Sequence, residues 1–110
     1  MRMPLFLAWA SGKGWREVAE RLTDEAVNER LGKGEWQREG DALFRELKFG
    51  DFTQAVEFVN RVAEAAEEAN HHPDIAIHSY NRVRLVLSTH SAGGITEADF
   101  ALAGRIDDLL

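Results

Sequence analysis

Cysteine is absent from this chain of 110 residues, and proline occurs only twice and tyrosine once. Without thiols the chain can form neither a disulfide nor a thiolate metal site. That composition is typical of a reducing compartment, so we expect a cytoplasmic protein. With so few other groups that titrate near neutral pH, histidine is the main candidate for moving protons.

Long apolar runs and clusters of positive charge are also missing. The longest apolar run is the six residues Leu5–Ala10, which is far shorter than the roughly 20 residues of a membrane-spanning helix. The net charge of −6 argues against a nucleic-acid partner, because phosphate binding depends on clustered Lys and Arg. We therefore expect no membrane and no nucleic-acid partner. The 45% hydrophobic and 29% charged content is typical of a single globular domain.

Hydrophobic periodicity predicts an α+β fold. The expected order is helix, two strands, long helix, two strands, helix, at residues 23–31, 35–38, 42–49, 51–71, 75–77, 80–89 and from 96 onward. Strand pairs separated by helices favour a four-stranded antiparallel sheet with three helices on one face. The second strand has apolar residues on both faces, so we expect another subunit to cover the open face. Before the first strand pair, Trp15, Val18, Ala19 and Leu22 have helical spacing.

All four histidines lie between Glu67 and His90, at positions 71, 72, 78 and 90. Glu67 lies four residues before His71 and Glu68 four before His72, so each histidine is expected to have a carboxylate one helical turn back. The negative end of the helix dipole acts in the same direction, and both effects favour a protonated imidazole able to donate a proton near pH 7. His90, at the end of a strand, is expected beside the same cavity.

Other interpretations of these histidines remain open. A lone histidine at a helix end is often only a cap or a surface residue, and His78 is expected to be simply solvated. His71, His72, His90 and Asp74 are ligand types that zinc accepts, but adjacent residues at a helix break diverge and no HExxH spacing is present, so no metal site is expected. Ser88, Thr89 and Ser91 surround His90 without the glycine pattern of a nucleophile elbow.

The order and spacing of these residues resemble the signature of the pterin-4a-carbinolamine dehydratase family. The resembling positions are Glu67, His71, His72, Pro73, Tyr80, His90 and Asp99, together with residues 36–43, 49–52, 58–63, 80–83 and 88–90. The resemblance spans roughly residues 23–110 and makes that segment a dehydratase-like domain. Residues 1–22 form an N-terminal extension outside it.

The resemblance implies removal of water from 4a-hydroxytetrahydropterin to give quinonoid dihydropterin, in tetrahydrobiopterin recycling, with no metal or organic cofactor. It implies that His71 and His90 transfer protons, that His72 mainly holds the pterin, and that Glu67 and Asp99 support them. Further substrate-binding or supporting positions are Pro73, Asp74, Tyr80, Ser88 and Thr89. The family also implies a homodimer or homotetramer and, as an alternative function, a non-catalytic module that binds the dimerisation helices of a transcription factor.

Overall fold

The computed structural model describes residues 20–110, and the helix expected over Trp15, Val18 and Ala19 lies outside them. Within the described residues the chain forms three α-helices and four strands, which confirms the α+β prediction. The elements are α1 (Asp24–Leu31), β1 (Gln37–Glu39), β2 (Ala42–Lys48), α2 (Phe52–Ala69), β3 (Asp74–His78), β4 (Arg82–Leu87) and α3 (Glu97–Asp107), with a short 3-10 helix at His90–Ala92. No helix in residues 20–110 is long and apolar enough to cross a membrane.

The four strands form one antiparallel sheet in the order β1-β2-β4-β3. Leu43 pairs with Leu87, and Ile75 pairs with Leu85, so these side chains share one face of the sheet. All three helices cover that face, because residues from each of them join the same buried core. Their contributions include Val27, Phe58, Val62, Leu102 and Ile106.

The opposite face of the sheet mixes apolar and charged side chains. The Arg84 guanidinium lies 4.6 Å from the ring centroid of Phe44. The sequence predicted a His78 that contacts only solvent. In the structure its Nε2 lies 2.7 Å from Oε2 of Glu46, so that prediction is wrong. These contacts leave the face partly exposed, with Val86 contributing further apolar surface near the end of β4.

Side chains that accept hydrogen bonds from free backbone amides fix where the helices begin. Thr23 accepts from the amide of Ala26, and Asp51 accepts from the amide of Gln54. Thr96 begins α3 in a capping box with Asp99. Each cap satisfies an amide that has no partner inside its own helix.

Several strand and helix boundaries differ from the sequence prediction by one or two residues, and two of them have a clear local cause. Helix α2 ends at Ala69, before His71, because Asn70 adopts a left-handed conformation with φ 51°. Strand β4 begins at Arg82, which pairs with His78, because Ser79, Tyr80 and Asn81 form the hairpin turn, with φ values of 50° at Ser79 and 55° at Tyr80. Both cases are local left-handed turns at residues other than glycine, which apolar periodicity does not reveal.

Candidate active site

The left-handed turn at the end of α2 sets the direction of two adjacent histidines. After Asn70, the amide of His71 donates to the carbonyl of Ala66 at 3.1 Å and closes the helix end. The chain then extends through His72 and Pro73 into β3, since a residue before proline is disfavoured in the α region. As a result the two imidazoles bind different carboxylates.

His71 binds a carboxylate that is completely buried. Its Nε2 lies 2.5 Å from Oδ1 of Asp99, and Asp99 is 0% exposed. The other oxygen of Asp99 accepts from the hydroxyl of Thr89 and from the amide of Thr96, both at 2.9 Å. Three elements, the ends of α2 and β4 and the start of α3, therefore meet at one carboxylate.

The protons in this network can be assigned from the donors and acceptors alone. With Asp99 ionised, its carboxylate only accepts hydrogen bonds, so Nε2 of His71 carries the proton that it shares with Asp99. Because Thr89 gives its single hydroxyl proton to Asp99, the 2.8 Å contact between the two threonine hydroxyls has Thr96 as donor. The position of Asp99 in the first turn of α3 favours its negative charge. Because Nε2 of His71 is bound to Asp99, Nδ1 is the nitrogen of this imidazole that a ligand could contact.

His72 binds a carboxylate that is exposed. Its Nε2 lies 2.6 Å from Oε2 of Glu67, and the side chains of the pair are 58% and 76% exposed. The expected pairing of Glu67 with His71 and of Glu68 with His72 is therefore wrong: Glu67 pairs with His72, and Glu68 binds Arg105 of α3. The turn at Asn70 is the reason, because it breaks the helical spacing on which the expectation rested.

A cavity of about 380 Å³ opens at the end of the sheet where β2 begins and β4 ends. Ala42 and Val86 provide apolar surface, and His72 and His90 bring imidazoles to it. Ser88 and the backbone at Gly93 and Gly94 complete part of the wall. A flat, polar ring with an apolar face fits this combination of an aliphatic surface and polar edges.

The structure brings most of the predicted site residues to this end of the molecule. His72, Asp74, Ser88 and His90 line the cavity. Thr89 and Asp99 belong to the buried network behind it. His71 lies outside the cavity lining, with 16% of its side chain exposed. Pro73 connects His72 to β3.

Tyr80 is in a different part of the fold. It is 65% exposed and lies in the turn between β3 and β4, whereas the cavity residue Asp74 begins β3. The length of β3, about 13 Å at 3.3 Å per residue, therefore separates it from the cavity within one chain.

Several residues of the cavity were not predicted from the sequence. Asp41, Ala42, Val86 and the two glycines contribute to its lining. Asp41 could have been predicted from its position in the β1–β2 turn. Once the sheet order puts β2 beside β4, that turn has to lie next to the residues that follow β4.

Comparison with known proteins identifies the family. The family model described as pterin 4 alpha carbinolamine dehydratase matches residues 20–109. The chain belongs to this family. A relative from Thermomicrobium roseum, provisionally named a pterin-4-alpha-carbinolamine dehydratase, is 62% identical over 74 residues, which are 67% of this chain and 78% of the relative.

Two solved structures of the family resemble the fold. A Brucella melitensis protein described as a transcriptional coactivator/pterin dehydratase is 38% identical, with a TM-score of 0.76 over 82% of this chain and 98% of that one. A pterin dehydratase-like protein described as a RuBisCO assembly factor in the alpha-carboxysome is 31% identical, with a TM-score of 0.54 over 67% of this chain and 84% of that one. The fold is thus shared with a protein described by a role in assembly.

Proposed function

We propose that this protein is a dehydratase that converts 4a-hydroxytetrahydropterin to quinonoid dihydropterin, and that it serves tetrahydrobiopterin recycling. The observation that carries the proposal is the cavity bordered by His72 and His90, together with the hydrogen bond between the neighbouring His71 and the buried Asp99. The chain's membership of the family supports the same reaction.

The reaction needs two proton transfers and no change in oxidation state. The hydroxyl on C4a takes a proton from a general acid and leaves as water. The proton on N5 goes to a general base, and the electrons of the N5–H bond form the C4a=N5 double bond. A well-placed group with a pKa near the working pH contributes about 10²- to 10⁴-fold to such a step. Histidine is the side chain best suited to both roles.

We assign the proton transfers to His71 and His90. Asp99 holds His71 through Nε2, so Nδ1 is the nitrogen that exchanges a proton with substrate. His90 is exposed at the cavity, and within residues 20–110 it has no carboxylate partner, in contrast to the other three histidines. The two imidazoles therefore lie in different electrostatic environments, which suits one acid and one base.

We assign binding of the pterin mainly to His72. It borders the cavity, and its exposed contact with Glu67 orients the ring without burying a charge. An exposed ion pair is worth little in stability, so Glu67 acts here by positioning the imidazole.

Stopped-flow dehydration of freshly generated carbinolamine tests the proposed activity. The protein should accelerate the reaction over buffer. The double variant His71→Ala/His90→Ala should lose the acceleration while its circular dichroism stays unchanged. Asp108→Asn, an exposed carboxylate outside the cavity lining, is the matched control and should keep full activity. No acceleration by the unmodified protein would overturn the proposal.

A protein-binding module is the second candidate. The described role of the carboxysome relative favours it, and so do the exposed aromatic side chains Phe52 and Tyr80, at 54% and 65%. A module of this kind would turn over no carbinolamine, and the double histidine variant would bind its partner as the unmodified protein does. The two candidates therefore differ in the same pair of measurements.

We also propose that the protein forms a homodimer or homotetramer. The uncovered sheet face, with Phe44, supports an association of subunits. Light scattering coupled to size-exclusion chromatography measures the mass directly, and a monomer at micromolar concentration would contradict the proposal.

A further inference from the structure

Two carboxylates border the cavity on opposite sides, Asp74 on the same side as His72 and Asp41 across the sheet from it. Asp41 precedes β2 and borders the cavity beside Ala42, whereas His72 and Asp74 border it at β3. Strand β4 lies between β2 and β3, so the two sides are about 10 Å apart, or two strand spacings. Val86 of β4 provides the surface between them. A fused two-ring compound lying over Val86 would have one end at each side.

Asp41 is held in place by two contacts. Its Oδ1 accepts from Nη2 of Arg21 at 3.0 Å, and its backbone carbonyl accepts from the hydroxyl of Ser88 at 2.7 Å. The Arg21 side chain reaches Asp41 by passing over Gly94, where a Cβ would lie 2.8 Å from Nε. The Asp41 side chain is nevertheless 60% exposed. The carboxylate is therefore oriented but still able to accept further hydrogen bonds.

The chemistry of the pterin decides which end of the ring faces this carboxylate. The reacting atoms C4a and N5 lie at and beside the ring fusion, whereas the 2-amino group and N3–H lie at the far end of the pyrimidine ring. His71 and His72 come just before β3. If His71 exchanges its proton at C4a or N5, the pyrimidine end points away from the β3 side, toward Asp41. Two adjacent N–H donors match the two oxygens of a carboxylate, as a guanidinium does.

We propose that Asp41 recognises the substrate by accepting hydrogen bonds from the 2-amino group and N3–H of the pterin, and that Arg21 positions Asp41 for this role. The inference rests on the proposed function. It names a specificity-determining carboxylate and predicts selection for 2-aminopteridines over 2-oxopteridines, in which a carbonyl oxygen would face the carboxylate.

The test is calorimetric binding of two ligands under anaerobic conditions, 7,8-dihydropterin and 7,8-dihydrolumazine, which has oxygen in place of the 2-amino group. The unmodified protein should prefer dihydropterin. Asp41→Asn should weaken dihydropterin binding by roughly 10- to 100-fold, the range for lost hydrogen bonds to a charged group, and should narrow or reverse the preference. In the dehydration assay the same variant should raise KM with kcat little changed, because the contact is far from C4a.

Two further variants separate the explanations. Arg21→Gln keeps the Asp41 carboxylate but removes the guanidinium that orients it. It should therefore reduce the preference for dihydropterin over dihydrolumazine less than Asp41→Asn does. Asp74→Asn changes the other carboxylate of the cavity and should leave the ratio of the two affinities unchanged. A preference that survives Asp41→Asn, or that is lost in Asp74→Asn instead, would overturn the assignment of Asp41.

The outcome also distinguishes this inference from the proposed function. If the unmodified protein binds neither ligand and dehydrates no carbinolamine, both fail. If it dehydrates the carbinolamine while Asp41→Asn keeps the full preference for dihydropterin, the dehydratase proposal stands and only the role of Asp41 fails.

Discussion

Nε2 of His71 lies 2.5 Å from Oδ1 of Asp99, a carboxylate with no exposed surface. This contact joins the end of α2 to the first turn of α3. Asp99 also accepts from the Thr89 hydroxyl and the Thr96 amide. Its two oxygens are therefore the hydrogen-bond partners of all three groups. A buried carboxylate with this many donors is costly to change, since each donor would be left without an acceptor.

Asp99→Asn should destabilise the protein and slow the reaction together. The amide nitrogen of asparagine cannot accept. Turned toward Thr96 it opposes a backbone donor, and turned toward His71 it moves the imidazole proton to Nδ1 and replaces a charge-assisted hydrogen bond with a neutral one, so we expect a cost of about 1–3 kcal/mol in the free energy of unfolding. The kcat should fall by roughly 10- to 100-fold, part of what general acid–base catalysis supplies. Urea denaturation and the stopped-flow assay measure the two effects. Asp108→Asn is the control, and equal stability of the two variants would contradict the assigned network.

His71→Ala and His72→Ala should affect different kinetic constants. His71 is assigned to proton transfer, so its loss should lower kcat with little change in KM. His72 borders the cavity and pairs with Glu67 at its exposed rim, so its loss should mainly raise KM. Initial rates over a range of carbinolamine concentrations separate the two. The reverse result, with kcat lost only in His72→Ala, would mean that the histidine lining the cavity is the proton donor or acceptor.

Thr96→Val should lower the free energy of unfolding by about 1–2 kcal/mol, whereas Thr96→Ser should change it by much less. The hydroxyl of Thr96 accepts from the amide of Ala98 and contacts Thr89, and valine can do neither. Serine keeps the hydroxyl. Urea denaturation of both variants is the measurement, and equal losses would show that the methyl group matters rather than the cap.

Much of the fold follows from patterns within short segments. At Thr23, Asp51 and Thr96 the capping side chain and the amide that it binds lie within three residues of each other, so the sequence alone can indicate these helix starts. The turn at Gly40, with φ 59°, is also indicated by a short segment of sequence, because glycine adopts positive φ easily. The antiparallel sheet then followed from the two strand pairs, and its helix-covered face from the alternation of apolar residues.

The contacts that build the site are mostly between distant residues, and the sequence does not reveal them. Asp99 meets His71 across 28 positions, and Arg21 meets Asp41 across 20. Only a family resemblance linked Asp99 to the histidines, and nothing indicated Arg21. The pairing of Glu67 was mispredicted because one left-handed residue, Asn70, changes the direction of everything after it. The cytoplasmic location and the oligomeric state stay predictions.

Ser79→Asn/Tyr80→Gly should stabilise the protein by roughly 1 kcal/mol. Both residues have positive φ, which costs a side chain-bearing residue about 1–2 kcal/mol, and asparagine and glycine adopt this conformation more readily than serine and tyrosine do. The greater freedom of glycine in the unfolded chain offsets part of the gain. Urea denaturation measures the change. A loss of stability would mean that the Tyr80 side chain makes a contact worth more than the backbone strain.

Gly94→Ala should displace Arg21 without unfolding the protein. The added Cβ would lie 2.8 Å from Nε and 3.1 Å from Cδ of Arg21, and that side chain is half exposed, so it can move aside at little cost. We therefore expect a change in the free energy of unfolding within about 0.5 kcal/mol, together with the narrowed preference for dihydropterin expected of Arg21→Gln. Urea denaturation and the two-ligand calorimetry measure these effects. A loss of several kcal/mol would mean that the backbone moves instead of Arg21, and an unchanged preference would mean that Asp41 keeps its orientation without the guanidinium.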